Sequence, residues 1–62
     1  MNIILKAGWG YYEEYNGNPT GSFVRPSIDV EATLIEYQGR NVLVRLANGN
    51  CALCCRRGVE TS

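Results

Sequence analysis

Three observations predict an all-β fold of short antiparallel strands. Seven glycines and two prolines cut the 62 residues into apolar pieces near the usual strand length of about five or six residues, with turn residues between them. From Ile28 to Leu34 apolar and polar residues alternate, the two-residue period of a half-buried strand. Asn48-Gly49 separates two further apolar pieces, and that dipeptide is the strongest short-range hairpin signal.

The pieces follow in order. Asn2 to Lys6 and Trp9 to Tyr15 read as the first two strands, and Asn16-Gly17-Asn18-Pro19-Thr20-Gly21 as a dense loop. Ser22 to Arg25 runs into Pro26, which suits an edge or a corner rather than a central ladder. Ile28 to Tyr37 admits two readings. Ser27 as cap, Asp29 and Glu31 in a first turn and Gly39 as terminator would suit a helix. Four β-branched residues and the alternation of Ile28, Val30, Ala32 and Leu34 against Asp29, Glu31 and Thr33 favour a strand, which is the expectation.

Turn chemistry then sets the expected registers. A two-residue turn at Asn48-Gly49 opposes Leu46 to Cys51, Val44 to Leu53 and Val42 to Cys55. A three-residue loop Tyr37-Gln38-Gly39 opposes Leu34 to Val42, Ala32 to Val44 and Val30 to Leu46. Together they place Val30, Ala32, Leu34, Val42, Val44, Leu46, Cys51, Leu53 and Cys55 on one core face with Leu53 at its centre. Glu31 then faces Arg45 on the outer side. The outcome is a meander over about residues 28–57 in a single domain, 1–62.

About five short strands, a long aromatic-rich loop near the N-terminus and a meander behind it resemble an SH3-like small barrel, or a strongly bent antiparallel sheet. The resemblance lies in strand count and loop lengths. The Ala-Leu-Tyr-Asp-Tyr stretch, the Trp-Trp pair and the late proline of SH3 domains are absent, and Trp9-Gly10-Tyr11-Tyr12 does not replace them. No SH3 ligand site is therefore carried onto this chain.

Composition narrows the chemistry. Six basic residues balance six acidic ones, unlike the strongly basic composition of a phosphate-driven binder, although residues 1–31 are about two charges negative and residues 32–62 about two positive. Histidine is absent, which removes the usual proton shuttle and the commonest metal ligand. Ile3-Ile4-Leu5 is far shorter than a signal-peptide core, and no stretch nears the roughly 20 apolar residues of a membrane span. A soluble, cytoplasmic protein without membrane contact is expected, and three cysteines crowded at 51, 54 and 55 suit a reducing compartment.

Cys51-x-x-Cys54-Cys55 lacks the four ligands of tetrahedral zinc, and on a strand Cys51 and Cys54 point to opposite faces. No metal, cofactor or catalytic residue is expected. Cys51 and Cys55 are read as core and Cys54 as outward.

Two surfaces are candidates for binding. Trp9, Tyr11, Tyr12 and Tyr15, with Ile35, Leu43 and Cys54 on the outer sheet face, offer stiff amphipathic contact area to a protein partner. Either a second copy of the chain or the aromatic strand folded over that face could cover it. Arg25, Arg40, Arg45, Arg56 and Arg57 offer planar recognition of phosphate or carboxylate, and Arg45 and Arg56 are expected on one outer face. The leading expectation is a non-enzymatic protein-binding module, at this size an accessory or regulatory protein of a phage or mobile element. The alternative is a nucleic-acid-binding small barrel using the arginine face.

Overall fold

The computed structural model describes residues 1–14 and 23–61. Among these residues seven strands form: β1 (Asn2–Leu5), β2 (Tyr11–Glu14), β3 (Phe23–Val24), β4 (Val30–Gln38), β5 (Asn41–Leu46), β6 (Cys51–Cys55) and β7 (Val59–Thr61), with a 3-10 turn at Arg56–Gly58. They make one antiparallel sheet in the order β3-β2-β6-β5-β4-β1-β7. The fold is all-β, a small bent sheet of SH3-like type, and residues 30–38 are strand rather than helix. The strands beyond the expected five are brief. β3 ends two residues before Pro26, and β7 carries too little apolar sequence to announce itself.

The short links force the sheet to curl. In the strand order β6 and β7 are separated by β5, β4 and β1, which on a flat sheet puts them about 19 Å apart. Only the three residues Arg56–Gly58 join them, and a 3-10 turn rises about 2 Å per residue. The sheet must therefore bend until β6 and β7 approach. The bend is stitched by Lys6 N–H donating to the Gly58 carbonyl at 2.8 Å and Gly8 N–H donating to the Pro26 carbonyl at 2.9 Å.

Both expected hairpin registers are corrected, with different consequences. Between β4 and β5 the loop is Gly39-Arg40, one residue shorter than expected, since Gln38 pairs with Asn41. Alone, this change would turn Leu34 outward. A bulge between Leu34 and Glu36 inserts Ile35, however, so that Leu34 meets Val44 and Ala32 meets Leu46. The expected inner face of β4 and β5 survives.

Between β5 and β6 no such compensation occurs. Gly49 N–H donates to the Leu46 carbonyl at 3.0 Å and Leu46 N–H to the Asn50 carbonyl at 2.8 Å, enclosing the three-residue loop Ala47-Asn48-Gly49. Gly49 takes the left-handed position at φ 90°, and the Asn48 side chain accepts the Asn50 N–H at 2.9 Å. The extra loop residue shifts β6 by one, so that Val44 faces Ala52 and Val42 faces Cys54. Every β6 side chain is on the opposite face from that expected.

The core consists of Ile3, Leu5, Tyr11, Ala32, Val42, Val44, Leu46, Ala52 and Cys54. Val24, Val30, Leu34 and Val59 pack around it. Leu53 is half-buried on the outer side rather than central, and Cys51 and Cys55 are half-buried there too. Glu31 lies opposite Ile4, and Arg45 opposite Thr33 and Cys51, so the expected Glu31–Arg45 pair does not form.

Candidate functional site

Strand alternation assembles the outer face of the curled sheet. Successive cross-strand pairs run Phe23–Tyr12, Tyr12–Leu53, Leu53–Leu43 and Leu43–Glu36, so that four apolar side chains lie in one row over β3, β2, β6 and β5. The bulged Ile35 lies beside the end of that row, next to Glu36. At about 4.8 Å per strand, the apolar row from Phe23 to Leu43 is about 14 Å long.

The two rings at the start of the row are held in place. Tyr12 and Phe23 meet edge to face with centroids 5.0 Å apart, and the Phe23 ring covers Gly10, where a Cβ would collide with it. Both rings remain more than half exposed, and Ile35 is 42% exposed. One flank of the row is Glu14, Cys51, Arg45 and Thr33, and the other includes Cys55, Asn41 and Gln38.

A second constellation sits at the end of the curled sheet where β6 gives way to the 3-10 turn. Trp9, Gly39, Arg40, Cys55, Arg56 and Arg57 line an open concavity of about 810 Å³. Arg56 N–H donates to the Arg40 carbonyl at 2.9 Å, which ties the 3-10 turn to the β4–β5 loop. The Arg56 guanidinium lies 4.7 Å from the centre of the Tyr37 ring, a cation–π contact that restricts it. The Trp9 ring is seated on Gly58, where a Cβ would come within 2.6 Å of it.

Lys6 and Asp29 secure the segment that carries Trp9. The Asp29 carboxylate accepts the Ala7 N–H at 2.9 Å and lies 3.4 Å from Lys6 Nζ, which is also 3.4 Å from Glu60. The Ala7 N–H, then Lys6, holds the Asp29 carboxyl below its ordinary range, and the bond to Asp29 raises the Lys6 ammonium. These are the two ion pairs among the described residues, and neither includes an arginine. The arginines carry charge that no described carboxylate neutralises.

The residues named from the sequence separate accordingly. Tyr12, Ile35 and Leu43 share the outer row, whereas Trp9 belongs to the arginine concavity. Tyr11 is not a surface residue: it points inward at 7% exposure, and burial raises its phenol. Cys54 leaves the outer face for the same reason of parity, and burial pushes its thiol up to about 11. Tyr15 lies outside the described residues.

Among the basic candidates, Arg40, Arg56 and Arg57 converge, whereas Arg45 sits in the outer sheet face and Arg25 follows β3. Arg45 and Arg56 therefore do not share the expected strand face. Phe23, Leu53 and Tyr37 were not named as binding residues.

Among the described residues no helix is long and apolar enough to cross a membrane, and no three His, Cys, Asp or Glu side chains converge as a metal site. Comparison with known protein families, curated proteins and solved structures finds no match.

Proposed function

We propose that this protein is a non-enzymatic protein-binding module that docks through the outer row Phe23, Tyr12, Leu53, Leu43 and Ile35. The supporting observation is a single apolar line crossing four paired strands, with two rings already fixed edge to face. Such rings bury large area with little loss of side-chain freedom, and a contiguous apolar patch with a polar rim marks an interaction site. The occupant is a partner protein presenting an apolar ridge between polar flanks, matching the rim of Glu14 and Arg45 on one side and Asn41 and Gln38 on the other. The three free thiols accord with work in a reducing compartment.

Leu43→Glu tests the reading. Its side chain goes into water in the free module, so β-sheet circular dichroism persists while partner affinity falls more than about tenfold; Ser27→Glu, in the exposed bend before β4 and outside the row and its flanks, leaves affinity nearly unchanged. Affinity is measured with the partner that co-purifies from the native host, and sedimentation tests for a second copy as that partner. If Leu43→Glu changes no association, or if it unfolds the chain, the proposed docking face is wrong.

A further inference from the structure

We infer that the concavity lined by Trp9, Arg40, Arg56 and Arg57 binds a nucleotide through its phosphate, with the base stacked against Trp9. This site shares no side chain with the outer docking row, so either can fail without the other. Three arginines from two segments, Arg40, Arg56 and Arg57, line one open space of about 810 Å³, and the lining contains no carboxylate. A lone carboxylate would offset one such charge, whereas a polyphosphate or a run of phosphodiesters matches several.

The arrangement is built before any ligand arrives. The Arg56 N–H to Arg40 carbonyl bond fixes the two arginine-bearing segments together, and Tyr37 holds the Arg56 guanidinium by stacking. An aromatic ring beside the charges selects a planar partner: Trp9 rests on Gly58 and remains 43% exposed. Positive charge that follows phosphates and an open ring that stacks bases are the two elements of sequence-tolerant single-strand binding. Glu13 and Glu14, carboxylates of the aromatic strand that would repel a phosphate beside them, do not line the concavity, and Glu13 accepts from the Asn48 and Asn50 side chains at 3.1 and 2.7 Å.

Trp9 is the only tryptophan of the chain and reports directly on the site. The full chain is titrated at low salt with oligothymidylate, with thymidine diphosphate and with oligoglutamate, following Trp9 fluorescence. Quenching by oligothymidylate is expected, with log affinity falling against log salt at a slope of about −2 for three neutralised phosphates on a single strand. Quenching by the diphosphate as well identifies a free nucleotide as sufficient; quenching by the oligomer alone identifies a strand. Arg40→Gln with Arg57→Gln weakens binding about tenfold or more, while Arg45→Gln, outside the concavity, changes it little. Single Arg57→Gln gives an intermediate loss, and circular dichroism verifies folding of each variant. Absence of quenching, equal quenching by oligoglutamate, or wild-type affinity in the folded double variant overturns the inference.

Discussion

The hairpins on either side of β5 set their registers by different means, and the difference decides what each face of the protein presents. On the β4 side a short turn and a bulge each shift parity, and the two shifts cancel. On the β6 side a single loop residue shifts parity and nothing cancels it. Inner and outer residues on β4 thus keep their sides only because the bulge offsets the turn, whereas those on β6 depend entirely on three loop positions. Leu53 and both half-buried cysteines reach the outside for that reason.

Deletions sharpen the contrast most. Removing Leu43 from β5, which is paired on both sides, puts Val42 and Val44 on opposite faces, although both are fully buried now. At least one valine leaves the core, and no cooperative unfolding transition is expected. Removing Ile35 instead deletes only the bulge and leaves Leu34 opposite Val44 and Glu36 opposite Leu43. That variant should stay folded within about 1 kcal/mol of the parent in urea denaturation. Loss of the fold on removing Ile35 would show that the bulge does more than reset parity.

Side-chain truncation tests the two faces at intermediate cost. Leu5 is 2% exposed in the inner cluster, so Leu5→Ala is expected to cost about 2–5 kcal/mol. Leu53→Ala on the outer side should cost less, about 1–2 kcal/mol in the unbound protein, because part of that side chain is already in water. Equal losses from the two substitutions, measured by chemical denaturation, would contradict the β6 register.

Thiol reactivity reads the same register with the least perturbation. Cys51 and Cys55 should react quickly with an alkylating reagent at neutral pH and Cys54 only on unfolding. Burial raises the Cys54 thiol from an ordinary 9.0 to about 11, so the unfolded chain releases this proton at lower pH than the folded one. Its contribution to stability is complete below the ordinary value and declines as pH rises from 9.0 towards about 11. One fast and two slow thiols would restore the opposite parity.

These cases also define what the linear chain reveals. Alternation in Val42-Leu43-Val44 and in Val30 to Leu34 identifies a strand and its two sides, because period is a local property. Whether Ala47 belongs to the turn at Asn48-Gly49 is not fixed by that dipeptide, and is settled by Asn48 accepting the Asn50 N–H and by what β6 then meets. Phe23 could not be set opposite Tyr12, because the long segment between them carries no register signal. Arg40, Arg56 and Arg57 were nameable as candidates, yet their meeting with Trp9 depends on the curl of the whole sheet.

The pairing of β1 with both β4 and β7 has a consequence for biosynthesis. Ile3 leaves a ribosome well before either of its partners, Ala32 and Thr61. Until β4 emerges the apolar side chains Ile3 and Leu5 have no ladder to join, and the end of the curled sheet where Trp9 rests on Gly58 cannot assemble until β7 follows. Closure at this end is therefore governed by long-range pairing: without β7, β1 is an unpaired edge open to other chains, while β4 stays covered by β1 and β5.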